Sequence, residues 1–218
     1  MATANDTFIE ASTVTLPNHT SDSGHTWTDR EGLADLSVDG ATDVCYANTV
    51  AGVDGHYISA VPASADYSVQ ATFKVGISAH TTPGISGRNA TGANTMYWVN
   101  FNEGTWYLRK WVAGTVTQIG TYTGDVPTAG LVVKLEMLGN QISVYVSGVL
   151  RIGPITDTSI TAAGRGGIAS YYADATAARS LDNWSTIEAA GGRTTKNLNP
   201  WPLGMNIGAH IGMPGSSA

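Results

Sequence analysis

Hydrophobic and polar residues alternate strictly along residues 131–157. One face of residues 131–138 is apolar, and the other face carries Lys134 and Glu136. After a Gly139-Asn140 turn, residues 141–147 alternate in the same way, and Gly148 starts a third short strand. A period of two that is broken by glycine turns is typical of an antiparallel meander with one buried face. This segment therefore predicts an all-β protein.

The same alternation predicts strands elsewhere in the chain. The clearest is residues 66–75, and others are predicted at residues 36–38, 44–46, 85–88, 96–101, 105–112, 115–121, 167–171 and 181–187. Near the start, Phe8 and Ile9 are the only apolar pair expected to join a sheet, and Trp27 is expected to pin a loop to the core. Many short strands at this spacing predict a two-sheet antiparallel jelly-roll sandwich over residues 1–188.

Composition and charge narrow the possible partners. The 218 residues include 26 glycines and carry a formal net charge of −6. The eleven basic residues are scattered, and because phosphate binding needs clustered Lys and Arg, no nucleic-acid partner is expected. The single cysteine, Cys45, excludes an intrachain disulfide and is expected to be a small core residue. Residues 1–8 lack the pattern of a secretory signal, and no apolar run is long enough to span a membrane.

The chain changes character after Glu188. Residues 189–192 are a flexible Ala-Ala-Gly-Gly hinge, and the segment that follows has neither regular period. Its spaced apolar residues are too numerous for a solvated tail: Leu198, Trp201, Leu203, Met205, Ile207 and Ile211. We predict that residues 189–218 are an irregular docking arm. Docking on a neighbouring subunit is favoured over packing on its own domain.

Several motifs occur in an order that resembles a known family. They are D-T-F at Asp6–Phe8, T-W-T at Thr26–Thr28, A-D-Y-S-V-Q-A-T-F at Ala65–Phe73, W-Y-L-R-K-W-V-A-G at Trp106–Gly114 and L-D-N-W at Leu181–Trp184. Over residues 5–188 the chain resembles the concanavalin A-like (laminin-G-like) jelly rolls, particularly those of tailed-phage virion proteins. The resemblance implies the fold more strongly than the function, because this fold carries lectins, glycanases, adhesion modules and capsid proteins.

Catalytic motifs were sought and no catalytic residue is predicted. Glycanases that resemble this chain use carboxylates two or four residues apart on one strand, and Glu136 has no such partner. The chain has no G-x-S-x-G motif. All of its histidines fall in predicted loops or the tail, and none completes a zinc site: His19, His25, His56, His80 and His210. We therefore predict that the protein is not an enzyme.

The resemblance implies one candidate cofactor, a structural calcium ion. Its ligands would be Asp182 with Asp6 or Glu10 as companions. Calcium takes six to eight oxygen ligands, and the sequence offers only these few. The favoured alternative is that Asp182 accepts backbone N–H groups at a sheet edge, so no cofactor is predicted.

Aromatic residues are the remaining route to a binding site. Alternation places Trp106, Leu108 and Lys110 on one face of their strand. Tyr107, Arg109 and Trp111 lie on the other face, which is expected to be the exposed one. Flat rings of this kind can stack on sugars, and the favoured alternative is that they fill the core or a subunit interface.

These observations lead to one main functional prediction and its alternatives. We predict a structural virion protein of a tailed phage, a head decoration (cement) protein and homo-oligomer on the virion surface. Its arm would dock on the major capsid protein or on neighbouring copies of itself. The alternatives are a minor tail or receptor-binding protein, a carbohydrate-binding module that recognises cell-surface glycans, and a divergent glycanase.

Overall fold

The computed structural model describes residues 2–30, 36–47, 53–75, 83–171 and 180–189. These residues form sixteen strands, numbered β1–β16 in chain order, and a short 3-10 helix at Leu16–Asn18. All of the strand pairs are antiparallel, and the strands form two sheets. Within these ranges no helix is long and apolar enough to cross a membrane. The predicted all-β class with two packed sheets is confirmed.

The larger sheet has nine strands in the order β14-β13-β12-β7-β16-β5-β4-β2, and β1 also pairs with β16. Its strands are β1 (Ala2–Asp6), β2 (Val14–Thr15), β4 (Leu36–Asp39), β5 (Val44–Ala47), β7 (Tyr67–Val75), β12 (Val132–Leu138), β13 (Gln141–Val146), β14 (Val149–Thr156) and β16 (Ser180–Glu188).

The smaller sheet has seven strands in the order β11-β10-β9-β8-β15-β6-β3. Its strands are β3 (Trp27–Asp29), β6 (Val53–Ile58), β8 (Gly84–Asn89), β9 (Met96–Asn102), β10 (Thr105–Val112), β11 (Thr115–Thr123) and β15 (Arg165–Tyr171).

The predicted meander forms one end of the nine-stranded sheet. Leu138 pairs with Gln141 across the two-residue Gly139-Asn140 turn, in which Gly139 has φ +56°. A second two-residue turn at Ser147-Gly148 has both residues at positive φ, as the tight turns that match the strand twist require. The third strand, β14, is longer than the short strand that the sequence predicts.

The core lies between the two sheets and follows the predicted alternation. Val133, Leu135 and Met137 are fully buried, while Lys134 and Glu136 on the opposite face are half-buried. From the other sheet, Trp106 packs edge-to-face on Phe73 with ring centroids 5.6 Å apart. Burying each large apolar side chain contributes about 1.5–3 kcal/mol. Cys45 is buried in this core, as predicted.

The N-terminal region differs from the prediction. The first strand is Ala2–Asp6, whereas Phe8 has φ +53° and is fully buried, and Ile9 is 65% exposed. The chain leaves the sheet after Asp6 because the Asp6 carboxylate accepts a hydrogen bond from the backbone N–H of Phe8, which turns the chain. Phe8 is therefore a core anchor beside a turn, and the predicted Phe8-Ile9 strand is wrong.

A strand that the sequence does not predict, β6, carries one of the histidines. His56 is fully buried in it, so the expectation that all five histidines lie in loops or the tail is wrong. Burial lowers the pKa of His56 to about 4. His19 is also buried rather than solvated. His80 and His210 lie outside the described residues.

Nearly all of the predicted docking arm lies outside the part of the chain that the structure describes. Of residues 189–218, only Ala189 is described. The six apolar residues assigned to docking all lie beyond it: Leu198, Trp201, Leu203, Met205, Ile207 and Ile211. The division into a domain and an arm therefore stays a prediction.

Candidate functional site

The outer face of the seven-stranded sheet, meaning the surface that points away from the core, carries an unusual set of side chains. In β9, Tyr97, Val99 and Phe101 enter the core, so the alternate residues Trp98 and Asn100 point outward. In β10, Trp106 and Leu108 enter the core, which leaves a second outward set: Tyr107, Arg109 and Trp111. The predicted division of β10 into two faces is therefore present in the structure.

The register between the two strands aligns these outward side chains. Arg109 lies opposite Trp98, and Tyr107 lies opposite Asn100. Residues directly opposite each other in an antiparallel pair have Cβ atoms about 4.5–5.5 Å apart and make contact on one face. The two strands therefore form one continuous aromatic and polar wall.

The neighbouring central strands present small residues on the same face. The register places Ser86 of β8 beside Trp98, and Gly167 of β15 beside Ser86. A Cβ at Gly84 would lie 2.0 Å from the carbonyl oxygen of Val99 and 2.9 Å from the Cβ of Asn100. Small residues here form a low floor beside the tall wall of β9 and β10.

The outer face is concave. Arg30 follows β3 at one edge of the sheet, and its guanidinium carbon lies 5.8 Å from the centroid of the Trp111 ring on β10. Four strands separate β3 from β10. Since neighbouring strands lie about 4.8 Å apart, a flat sheet would hold these two strands roughly 24 Å apart. The two side chains can approach each other only because the sheet curves around the outer face.

The side chains on this concave surface pack on one another. Trp98 and Trp111 meet edge-to-face with centroids 6.4 Å apart, and with Met96 and Ala169 they form a hydrophobic cluster separate from the main core. The Arg109 guanidinium carbon lies 4.3 Å from the ring centroid of Tyr107 and 5.8 Å from that of Trp98. Such cation–π contacts hold the arginine over the aromatic rings.

Exposure differs among the three residues that the sequence assigns to a sugar-facing surface. Tyr107 and Arg109 are half-buried, but Trp111 is only 6% exposed. The expectation that Trp111 is exposed is wrong, because its ring packs into the cluster with Trp98. Sequence reasoning missed Arg30 and Asn100 on this face. The alternation of β9 could have found Asn100, whereas Arg30 depends on the curvature of the sheet.

A buried polar cluster holds the N-terminal strand. Asp6 accepts hydrogen bonds from Trp27 Nε1 (2.7 Å) and the Phe8 backbone N–H (2.9 Å), and it lies 2.9 Å from His19 Nε2. The other ring nitrogen of His19 lies 2.7 Å from Glu10. Burial alone would lower the pKa of His19, but the hydrogen bonds to Asp6 and Glu10 outweigh burial and raise it.

The carboxylates proposed for calcium form interactions within the chain. N–H donors surround Asp6, which is a poor environment for a cation. Asp182 accepts from the backbone N–H of Asn183 at 2.7 Å and from Lys74 Nζ at 3.2 Å. Across the described ranges, no group of three or more His, Cys, Asp or Glu side chains is arranged to hold a metal. These contacts give no support to the calcium alternative, which stays untested.

The outer face of the nine-stranded sheet is the second surface with a depression. A hollow of about 300 Å³ is lined by residues that include Lys134 and Glu136. Glu136 accepts hydrogen bonds from Lys134 Nζ (2.8 Å) and the Tyr145 hydroxyl (3.0 Å), and Lys134 Nζ lies 4.0 Å from the Tyr145 ring centroid. Glu136, the central-strand carboxylate considered for glycanase chemistry, therefore lies on the opposite side of the sandwich from the aromatic wall.

Comparison with known proteins identifies the fold. No protein-family profile matches the sequence, and a search of curated proteins returns no match. Among solved structures, the carbohydrate-binding module CBM66 from Bacillus subtilis is similar with a TM-score of 0.55 at 17% identity, over 74% of this chain and 95% of that one.

Two further solved structures are similar over most of the chain. The exoplasmic/lumenal domain of VIP36, bound to Ca²⁺ and Man3GlcNAc, has a TM-score of 0.57 at 8% identity and covers 85% of this chain and 91% of its own. A Bacillus subtilis protein of unknown function with a galectin-like fold has a TM-score of 0.54 at 11% identity, over 82% of this chain and 95% of that one. The chain therefore has the jelly-roll sandwich fold of the concanavalin A-like class, and identities this low show the fold alone.

Proposed function

We propose that this protein is a carbohydrate-binding module that holds a glycan on the concave outer face of its seven-stranded sheet. The observation that carries the proposal is the wall of Trp98, Tyr107, Arg109 and Trp111 above a floor of small residues. The half-buried Tyr107 ring, backed by the buried Trp98 and Trp111, can offer an apolar surface to a pyranose ring. The neighbouring guanidinium and amide groups can hydrogen-bond to the oxygens of the sugar.

Two of the structural neighbours support the proposal. One is itself a carbohydrate-binding module, and the other was solved with an oligosaccharide. Neither of them fixes the sugar for this chain, because a fold hosts many functions and specificity depends on the side chains.

Tyr107→Ala is the variant that tests the proposal. Tyr107 is half-buried, so it can meet a ligand, whereas truncating the buried Trp111 would also open a cavity. Loss of one aromatic contact, about 0.5–1.5 kcal/mol, should weaken glycan binding roughly 2- to 12-fold. Binding would be measured on a glycan array and then by calorimetry with the best glycan.

Tyr145→Ala is the matched control. Tyr145 is also half-buried and has a cation over its ring, but it lies on the outer face of the other sheet. The Tyr145→Ala variant should bind glycan as tightly as the unsubstituted protein does. If glycan affinity falls equally in both variants, or falls only in Tyr145→Ala, the binding site lies elsewhere. Absence of binding to every glycan would contradict the proposal.

The phage decoration function that the sequence favours stays a prediction. It depends on the docking arm, which lies outside the described residues, and the three structural neighbours named above give it no support.

A further inference from the structure

The outer face has hydrogen-bond donors that the chain itself does not use. Within the described ranges, the indole N–H groups of Trp98 and Trp111 and the side-chain amide nitrogen of Asn100 have no hydrogen-bond partner. All three side chains are at least nine-tenths buried. Buried donors in native proteins nearly always have partners, and exceptions call for an explanation.

The amide orientation of Asn100 is fixed by its neighbour. Its oxygen accepts a hydrogen bond from Nη1 of Arg109, and an arginine can only donate. The opposite end of the amide must therefore be the NH₂ group. A flipped amide, the usual ambiguity for asparagine, would place two donors against each other.

The side-chain oxygens of Asn100 and Asn89 are already in use. The amide oxygen of Asn89 accepts from Nη2 of Arg30, and the Asn89 amide donates to Ser86 Oγ at 3.0 Å. Because the Asn100 oxygen is also in use, the groups here that can still form hydrogen bonds are the donors of Trp98, Trp111 and Asn100. No Asp or Glu is among the described residues that the strand register places on this face.

A ligand group that only accepts hydrogen bonds fits this set of unpartnered donors. A sugar hydroxyl also donates, and its proton would need an acceptor beside Trp98 and Asn100, where the oxygens of Asn100 and Asn89 are already in use. A carboxylate has two oxygens and about four acceptor positions, and its hydrogen bonds are charge-assisted. An acetamido group is a poorer match because it has a single oxygen and adds an N–H donor.

Trp98 stands between the other two donor residues. The rings of Trp98 and Trp111 have centroids 6.4 Å apart, and residues two apart on a strand are separated by roughly 6.6 Å. Each N–H···O bond spans about 2.9 Å, so the two oxygens of one carboxylate can bridge donors on residues this far apart. Both donor atoms are buried, so a ligand reaches them only when a side chain above them moves, and the half-buried Arg109 lies over Trp98.

We propose, resting on the carbohydrate-binding function above, that the glycan held on this face carries a carboxylate, as uronic and sialic acids do. The carboxylate accepts hydrogen bonds from Asn100 and Trp98, which are neighbours on the outer face of β9. The net charge of −6 does not oppose this at close range, since physiological salt screens exposed charges beyond about 8 Å.

The test uses the full chain on an array in which each acidic glycan, uronic or sialic, is paired with the same glycan after reduction of its carboxyl group to an alcohol. Acidic members should bind roughly 10-fold or more tightly than their reduced partners, as expected for charge-assisted hydrogen bonds. Equal or tighter binding of reduced or other neutral glycans would overturn the carboxylate inference and leave the carbohydrate function standing. No binding to any glycan would overturn both.

Asn100→Asp tests the donor directly. It replaces the NH₂ group by an oxygen of similar size and keeps an acceptor for Arg109, and acidic-glycan binding should fall at least about 10-fold. Asn140→Asp, in an exposed turn, controls for the added charge. Should Asn100→Asp fail to fold by circular dichroism, Trp98→Phe removes the neighbouring indole N–H but keeps a ring. Unchanged acidic-glycan affinity in the folded variant would refute the assignment.

Discussion

Replacing Arg88 by Met should destabilise the protein strongly, because this guanidinium serves three separate loops. Arg88 is 1% exposed. It donates to the carbonyl oxygens of Ile160 and Gly139, each at 2.7 Å, and to that of Ala65 at 3.0 and 3.2 Å. Those carbonyls lie before β15, in the β12–β13 turn and before β7. One side chain therefore joins the loops at one end of the sandwich.

The size of the effect can be worked from these contacts. A buried acceptor left without its donor costs about 1–3 kcal/mol, so three carbonyls amount to roughly 3–9 kcal/mol. Gly139 is exposed and Ala65 is half-buried, so water can replace some of the lost bonds. We therefore expect a loss of about 3–5 kcal/mol, which is large against the roughly 5–15 kcal/mol that stabilises a typical domain.

Urea unfolding at 25 °C, followed by tryptophan fluorescence, measures this loss. Arg151→Met is the matched control. Its side chain is 30% exposed, pairs with Asp125 at 2.6 Å and stacks on Tyr122. Loss of such a surface pair should cost about 0–1 kcal/mol. If Arg88→Met comes within about 1 kcal/mol of the control at an unchanged denaturant slope, then the guanidinium does not hold these loops.

Two other perturbations have clear expected directions. Asp6 and Glu10 raise the pKa of His19 above its ordinary 6.5, so the contribution of His19 to stability is complete below pH 6.5 and is lost as pH rises through the raised pKa. Melting temperatures measured from pH 5 to 9 should show this decline, and His19→Gln should flatten it. Gly84→Ala should lower the melting temperature sharply, because the added Cβ would lie 2.0 Å from a backbone oxygen. Gly55→Ala is the control, because the nearest atom to its added Cβ is 3.4 Å away in a flexible arginine. Equal melting temperatures for the two variants would contradict this prediction.

The part of the fold that the sequence predicts is the part in which alternation is regular. Strands such as β7, β12 and β13 bury every second residue, so their period is visible without the structure. β6 was missed because Gly55 and His56 interrupt the apolar pattern. Both residues are explained by tertiary contacts. Gly55 leaves room for Arg30 and Met96, and His56 is buried by strands that are distant in sequence.

The candidate site is predictable only in its local half. The two faces of β10 follow from its sequence, and so does the placement of Tyr107 with Arg109. The burial of Trp111 does not, because it depends on Trp98 and Ala169 from other strands. The approach of Arg30 depends on the curvature of the whole sheet, which no local pattern encodes.

The contrast between the two outer faces is the strongest reason to assign binding to the seven-stranded sheet. On the nine-stranded sheet, Lys134 and Tyr145 donate hydrogen bonds to Glu136, so these three side chains need no further partner. On the seven-stranded sheet, Asn100 and Trp98 are fully buried and their N–H donors have no partner in the described chain. Such donors reduce stability unless something accepts their hydrogen bonds. Two buried donors without a partner, on the face that also carries the aromatic rings and Arg109, are better explained by a ligand than by packing alone.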